Sequence, residues 1–152
     1  MRVLPSARKK ARHLLVQALY QWQFTGGGPT AIEAQFRADN DLRKVDTEYF
    51  HALLHGILAA VDEIDAAYSG YLDRAVHELD PVSRAVLRLG TYELLHRIDV
   101  PYRVAINEAV NLAKAFGPEE SHRYVNGVLD KVAAASRQPE IAAGAGGGRG
   151  RD

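Results

Sequence analysis

The spacing of hydrophobic residues predicts helices along nearly all of this 152-residue chain. Between Asp46 and Tyr68, apolar residues recur at three- and four-residue intervals over about five turns, which is the clearest helical pattern in the sequence. The residues on this stripe are Phe50, Leu53, Leu54, Ile57, Leu58, Val61 and Ile64. No segment keeps the strict apolar–polar alternation that is typical of a strand, so we expect no β-sheet.

Capping residues, glycines and prolines divide this pattern into about seven helices. Asp80 followed by Pro81 is a strong start signal, because it combines a capping residue with proline at the first helical position. Thr30, with Glu33 three residues later, has the pattern of a capping box at the start of the second helix. The predicted helices cover residues 6–24, a short segment from residue 30, and residues 46–68, 72–79, 80–97, 102–116 and 119–135.

These elements predict an all-α fold, a compact helical bundle that forms one domain over residues 1–137. The helix over residues 80–97 is expected at its centre, because apolar side chains surround most of the helix axis. The segment over residues 138–152 is rich in glycine and alanine and has no apolar periodicity. We expect it to be a disordered tail.

Composition is that of an ordinary globular protein, with 47% hydrophobic and 25% charged residues. The absence of cysteine excludes disulfides and thiolate metal sites. No window approaches the roughly 20 apolar residues that a membrane-spanning helix needs. We therefore expect a cytoplasmic protein without membrane contact.

Charge is distributed unevenly, although the formal net charge is zero. Residues 33–66 carry eight acidic against three basic residues, whereas residues 1–32 carry no acid. The basic residues of that first segment are Arg2, Arg8, Lys9, Lys10 and Arg12. Cations near a helix N-terminus oppose the helix dipole. The cluster therefore favours a bound anion over an ordinary solvated helix start.

The first helix also carries two aromatic residues, Tyr20 and Phe24, on the side opposite its core stripe. That stripe consists of Ala11, Leu14, Leu15, Ala18, Leu19 and Trp22 on a wheel of about 100° per residue. Exposed aromatic residues are typical of partner sites. The alternative is that both rings pack under a neighbouring segment of the same chain.

Targeting functions fit this first helix less well. Gln17, Gln21 and Gln23 interrupt the apolar run that a secretory signal needs. A mitochondrial presequence is disfavoured because the apolar stripe includes Trp22 and is typical of a core helix. A membrane-surface helix would carry its aromatic residues beside the apolar face rather than opposite it.

No catalytic or cofactor motif is found, so we expect a protein that is not an enzyme and has neither cofactor nor metal. His51 and His55 have the i, i+4 spacing of metal ligands, but the residues between them offer no carboxylate. Ordinary histidines are therefore the favoured interpretation. Gly127 lies inside a predicted helix. Either a close approach by another group or simple tolerance of a poor helix former explains it.

Three blocks of sequence resemble the NusB family of bacterial transcription antitermination factors. The blocks are ARKKARHLLVQALYQWQ, VSRAVLRLGTYELLHRIDVPYRVAINEAVNLAKAFG and EESHRYVNGVLDKV, and the resemblance extends over residues 5–135. It implies two three-helix bundles and a non-enzymatic protein. Such a protein binds boxA RNA together with ribosomal protein S10 (NusE), and joins the RNA polymerase elongation complex with other Nus factors on ribosomal RNA operons.

The resemblance also implies site residues. Those implied for RNA are Arg8, Lys9, Lys10, Arg12, Tyr71, Arg88, Phe116, Glu120 and Tyr124. Those implied for NusE are Tyr20, Glu78 and Ser83, and Phe24 joins them because it lies beside Tyr20 on the same side of the first helix. Ser83 stands where an acidic residue is expected, which weakens the polar part of that contact.

Such a set of residues fits single-stranded RNA better than duplex, because cations contact phosphates and aromatic rings stack on unpaired bases. The alternative hypothesis is a protein-interaction scaffold of the transcription complex that makes no RNA contact of its own.

Overall fold

The computed structural model describes residues 4–147, and side chains as far as residue 144. These residues form eight α-helices and one 3-10 turn, with no strand among them. The helices are α1 (Pro5–Thr25), α2 (Pro29–Asp39), α3 (Thr47–Ala59), α4 (Val61–Ser69), α5 (Pro81–His96), α6 (Tyr102–Phe116), α7 (Ser121–Ser136) and α8 (Gln138–Gly147). None of these helices is long and apolar enough to span a membrane. The predicted all-α fold class is confirmed.

Local capping signals fix several of the helix starts. The Asp80 carboxylate accepts a hydrogen bond from the backbone N–H of Ser83 at 2.9 Å, as its place before Pro81 predicts. The Asp46 carboxylate caps α3 in the same way, accepting from the backbone N–H of Tyr49 at 3.1 Å. The predicted start of α5 is therefore confirmed.

Three local predictions are wrong. The helix expected over residues 46–68 breaks at Ala60, whose φ of −119° and ψ of 23° are not helical. The helix expected over residues 72–79 is reduced to the 3-10 turn Val76–Glu78. The capping box of Thr30 is absent, because α2 starts at Pro29 with Gly28 as its N-cap and makes no side-chain cap. Gly28 and Pro29 thus set the start of α2, whereas neither glycine nor proline stands at the break at Ala60.

The helices form two three-helix bundles around one core. In the first bundle α1, α2 and α3 pack together, and in the second α5, α6 and α7 do so. Helix α5 also packs against α1, α3 and α4, which confirms its predicted central position. Gly90 permits part of this packing, since a Cβ there would lie 2.8 Å from Leu129 of α7 and 3.3 Å from Ala109 of α6.

A buried ion pair joins the two bundles. The Arg12 Nε of α1 donates to the Glu93 Oε2 of α5 at 2.8 Å, and both side chains are at most 5% exposed. Tyr49 of α3 donates its hydroxyl proton to the same Glu93 oxygen. Burial raises the pKa of Glu93, and Arg12 and Tyr49 act in the opposite direction. Three helices therefore meet at one carboxylate.

Helix α8 occupies part of the segment that was expected to be a disordered tail. Arg137 is buried just before it, and its guanidinium donates to the carbonyl oxygens of Leu94 at 2.8 Å and Val100 at 2.9 Å. Glu140 bridges Arg137 at 2.6 Å and the backbone N–H of Tyr102 at 3.0 Å. These bonds anchor the start of α8, so the prediction of disorder is wrong for residues 138–147. Residues 148–152 lie outside the described part of the chain.

The buried ion pair leads to a stability prediction. Arg12→Met should lower the free energy of unfolding by about 3–5 kcal/mol, because it leaves Glu93 buried without its cation. The control Lys10→Met, at an exposed position of the same helix, should change it by no more than about 0.5 kcal/mol. Urea denaturation of both variants measures the difference. Equal losses in the two variants would show that the ion pair does not hold the bundles together.

Candidate nucleic-acid and partner interface

One outward stripe of α1 carries both kinds of side chain that the sequence assigns to binding. Lys9, His13, Tyr20 and Phe24 lie within about 60° of one another at 100° per residue, so they share one face. Tyr20 is 41% exposed and Phe24 is 64% exposed. Among residues 4–144, whose side chains are described, no segment therefore covers the two rings. We call this face the outward stripe.

An aromatic groove lies at the C-terminal end of the outward stripe. Its volume is about 640 Å³, and it is lined by Val16, Gln17, Tyr20, Gln21, Phe24, Thr25, Phe36, Val82 and Phe116. The centroids of the Tyr20 and Phe24 rings are 5.1 Å apart. Helices α1, α2, α5 and α6 all contribute to the groove, which fixes its shape. Sequence analysis missed Phe36 and Val82, since nothing local marks them as neighbours of Tyr20.

The basic cluster at the start of α1 is largely neutralised by the protein itself. The Lys9 Nζ lies 3.2 Å from Glu108 of α6, and this lysine side chain is 50% exposed. Arg8 lies between Asp46 at 3.5 Å and Asp99 at 3.6 Å, with its guanidinium 4.1 Å from the centroid of the Tyr49 ring. The inference that these cations need an external anion is therefore wrong for Arg8, Lys9 and Arg12.

Lys10 is the exception in the basic segment. Its side chain is exposed, and no ion pair of Lys10 is found within residues 4–147. With Lys9 and His13 it lines a second groove of about 460 Å³, whose opposite wall includes Asn40 and Asp41. Arg43 donates to the Asp41 carboxylate at 2.6 Å, which offsets that negative charge. Lys10 is therefore the cation best placed for an external phosphate.

A ring contact connects the basic cluster to the aromatic groove. The His13 and Phe116 rings meet edge to face with centroids 5.2 Å apart, and Phe116 is 38% exposed. Phe116 is implied for RNA by the resemblance, yet it lines the groove that contains Tyr20. The two predicted surfaces therefore adjoin at His13 and Phe116.

Besides Arg12, two of the predicted site residues are buried, Arg88 and Ser83. Arg88 is 8% exposed and donates to both oxygens of Asp65, at 2.9 and 2.8 Å, while its guanidinium lies 5.6 Å from the Trp22 ring. Burial lowers the pKa of Arg88, but the hydrogen bonds to Asp65 outweigh it, so the pKa is raised. Ser83 is 3% exposed in the first turn of α5. In this structure neither side chain offers much surface to RNA or to a protein.

Another group of predicted RNA residues lies near the segment that follows α4. Tyr71 is 37% exposed. The Tyr124 hydroxyl donates to Asp73 at 2.9 Å, and the Arg74 guanidinium lies 4.7 Å from the centroid of its ring. Tyr124 is therefore half-buried and tied to this segment.

The two remaining predicted acidic residues are both exposed. Glu120 has a left-handed φ of 71° just before α7 and pairs with Arg123 at 3.0 Å. The Glu78 carboxylate accepts from the backbone N–H of Ala75 at 2.8 Å and remains exposed. Of the predicted acidic side chains, Glu78 is therefore accessible for a protein contact.

A separate cluster of one glutamate and two histidines, Glu33, His51 and His55, joins α2 to α3. Both residue types are common metal ligands. Glu33 Oε1 lies 2.7 Å from His51 Nδ1 and 2.8 Å from His55 Nε2, and Arg37 Nη2 lies 2.7 Å from Glu33 Oε2. Burial raises the pKa of Glu33, but hydrogen bonds from Arg37, His55 and His51 outweigh it and lower the pKa to about 2. Sequence analysis identified the histidine pair and missed Glu33, which lies 18 residues before His51.

Comparison with known sequences identifies close relatives. The profile of the NusB family matches residues 9–134. "Transcription antitermination protein NusB" of Alcanivorax borkumensis is 58% identical over 136 residues, which cover 90% of this chain and 91% of that protein. The protein of the same name from Teredinibacter turnerae is 54% identical, covering 93% of this chain and 97% of that protein.

Comparison with solved structures agrees. The fold matches T. maritima NusB with a TM-score of 0.78 and 32% identity, covering 89% of this chain and 96% of that one. It also matches a structure described as antitermination factors NusB and NusE in complex with dsRNA, with a TM-score of 0.72 and 26% identity, covering 87% of this chain and 99% of the matched chain. By its sequence, its two three-helix bundles and its relatives, the chain belongs to the NusB family.

Proposed function

We propose that this protein is a transcription antitermination factor that binds single-stranded boxA RNA together with ribosomal protein S10 (NusE). It would support processive transcription of ribosomal RNA operons, in the cytoplasm, as part of the RNA polymerase elongation complex with other Nus factors. Its proposed role is binding rather than catalysis. The observation that carries the proposal is the exposed surface of α1, where Lys9 and Lys10 lie beside the aromatic groove in a NusB-family chain.

The RNA contact is proposed at Lys9 and Lys10. Both side chains are exposed, and Lys10 has no ion pair within the described residues. Phe116, which is partly exposed near them through its contact with His13, offers a ring on which an unpaired base can stack. Arg12 and Arg88 act in this proposal as positioning residues, because each is buried against a carboxylate.

The NusE contact is proposed at the aromatic groove. Tyr20 and Phe24 supply exposed rings, and Phe36 and Val82 supply part of its apolar lining. Large aromatic side chains in a concave site carry much of the binding energy in protein interfaces. A structure of NusB and NusE in complex with dsRNA has the same fold, which supports assigning a protein ligand and an RNA ligand to this fold.

The alternative function, a scaffold that makes no RNA contact of its own, is favoured by one specific observation. Glu108, Asp46, Asp99 and Glu93 already pair with three of the four clustered cations. In this case RNA would bind only when a partner supplies the contacts. An RNA titration of the protein without NusE separates the two functions, since the scaffold alone would show no salt-dependent binding.

Removing the accessible lysines should weaken RNA binding. Lys9→Ala/Lys10→Ala should lower affinity by a similar factor for a boxA strand and for an unrelated single strand, because phosphate contacts carry no sequence information. The salt dependence of log Kd should become shallower by about 0.7 per lysine removed. Fluorescence anisotropy at several salt concentrations measures both quantities, with a boxA duplex as a comparison.

Lys131→Ala, at an exposed position of α7, is the matched control for this loss of charge. It should leave the affinity and the salt dependence unchanged. An unchanged affinity in the double variant would remove the N-terminal segment from RNA binding. Tighter binding of the duplex than of the single strand would contradict the proposed RNA class.

Removing the groove aromatics should weaken NusE binding. Tyr20→Ala and Phe24→Ala should each lower the affinity at least about tenfold, because each removes a ring that a partner would bury. Their free energies of unfolding should change by no more than about 0.5 kcal/mol, since both rings are exposed. Isothermal titration calorimetry with NusE and urea denaturation measure the two effects.

Ile98→Ala is the control for NusE binding. Ile98 is 78% exposed and does not line the groove, so its truncation removes a large apolar side chain elsewhere on the surface. It should leave the NusE affinity unchanged. If Ile98→Ala weakened binding as much as Tyr20→Ala, the groove would not be the partner site.

A further inference from the structure

The cluster of Glu33, His51 and His55 converges on one point between α2 and α3. Each residue offers one ligand atom, and the three atoms lie within 4.8 Å of one another. His51 and His55 occupy successive turns of α3, with ring centroids 4.1 Å apart. Glu33 reaches them from α2, so the donors come from two helices rather than from one surface segment.

The burial of the cluster distinguishes it from a chance group of surface charges. Glu33 is 8% exposed, whereas the side chain of His51 is 56% exposed and that of His55 is 30% exposed. The carboxylate therefore forms the floor of the site and the imidazoles form its open side. An ion could reach this position from solvent without any movement of the helices.

Arg37 fixes the orientation of the carboxylate. Its Nε and Nη2 lie 2.9 and 2.7 Å from Glu33 Oε2, while both histidines face Oε1. One oxygen is thus held by a cation, and the other points at two imidazole nitrogens. Hydrogen bonds from outside the ligand set commonly orient metal-binding carboxylates in this way.

The geometry points to a site for a divalent transition ion, best suited to Zn²⁺, with Glu33 Oε1, His51 Nδ1 and His55 Nε2 as ligands and water in the remaining position. Two imidazoles and one carboxylate are a common zinc ligand set, whereas Mg²⁺ and Ca²⁺ prefer oxygen donors. Tetrahedral bonds of 2.0–2.2 Å place ligand atoms about 3.3 Å apart. The observed separations of 2.7 and 2.8 Å need to lengthen by only about 0.5 Å.

Metal binding requires a free lone pair on each imidazole nitrogen that faces Glu33. The ring proton of each liganding imidazole then lies on its other nitrogen, and the carboxylate supplies the negative charge of the site. The water that completes the coordination comes from the open side of the site.

A metal here would cross-link α2 to α3, which a loop of seven residues separates. Helix α2 also carries Phe36, which packs against Phe50 of α3 with ring centroids 6.0 Å apart and lines the aromatic groove. The ion would therefore stabilise one wall of that groove. None of its three ligands lines the groove, so metal binding can be tested on the isolated chain without RNA or NusE.

The full-length protein, first treated with EDTA and then freed of it, should bind one Zn²⁺ per chain by isothermal titration calorimetry. Its melting temperature should rise with Zn²⁺ concentration and return to the starting value when EDTA is added. Mg²⁺ at the same concentration should produce no shift. Co²⁺ in place of Zn²⁺ should give the intense visible absorption of a four-coordinate ion.

Three variants and one control decide whether these residues are the ligands. His51→Gln, His55→Gln and Glu33→Gln should each lower the Zn²⁺ affinity at least about tenfold. His77→Gln changes an exposed histidine outside the cluster and should bind like the parent. The melting temperature of His51→Gln in EDTA should equal that of the parent, since this side chain is largely exposed.

The proposal is overturned if the parent shows no Zn²⁺-dependent shift. It is equally overturned if His51→Gln binds as tightly as His77→Gln, which would indicate surface binding only. These tests measure Zn²⁺ binding without RNA or NusE. A failure of the proposed RNA or NusE binding would therefore leave the metal-site proposal standing, and the reverse also holds.

Discussion

The buried ion pair between Arg12 and Glu93 is the constraint on which the rest of the structure depends. Glu93 belongs to the central helix α5, and both side chains are nearly inaccessible to solvent. A carboxylate in that position is costly unless a cation and hydrogen bonds satisfy it, and Arg12 and Tyr49 both do so. Because Arg12 of α1 and Tyr49 of α3 must both reach Glu93, the orientation of these two helices against α5 is fixed. The position of the outward stripe follows from it.

The same helix can carry core, cation and partner functions because helical geometry separates them. Arg8 and Lys9 are adjacent in sequence, yet Arg8 lies beside Asp46 while Lys9 reaches Glu108 on another helix. Tyr20 is one residue from the buried Leu19 and is nevertheless 41% exposed. Each residue advances about 100°, so neighbours in sequence serve different surfaces. The buried contacts of Arg12 and Tyr49 with Glu93 hold α1 in place, and so they fix the positions of these surfaces relative to one another.

Sequence reasoning succeeds where the signal is local. Asp80 and Pro81 mark the start of α5 through a cap that depends only on neighbouring atoms. The helical wheel places Tyr20 and Phe24 opposite the core stripe, but it does not decide their exposure, because Val16 on the same side of α1 is buried. The break at Ala60 is not marked by any glycine or proline, so no local pattern could reveal it. The start of α8 depends likewise on Arg137, whose guanidinium donates to distant carbonyl groups of the α5–α6 connection.

The partners of the clustered cations could not be read from the sequence. Glu108 lies 99 residues from Lys9, and Glu93 lies 81 residues from Arg12, so a segment that appears unbalanced is balanced after folding. The resemblance to the NusB family has a related limit. It transfers the positions of Arg88 and Ser83, but it does not carry their exposure, which depends on Asp65 and on the packing of the first turn of α5.

The Glu33 carboxylate cannot form the predicted capping box of α2, because both of its oxygens make other contacts. A capping box would require its side chain to accept a backbone N–H at the start of α2. Its Oε2 is instead held by Arg37, and its Oε1 receives His51 and His55. Pro29 opens α2 without any side-chain cap, which leaves Glu33 available to α3. The absence of a side-chain cap on α2 and the presence of the cluster between α2 and α3 therefore have one cause, the orientation of the Glu33 side chain.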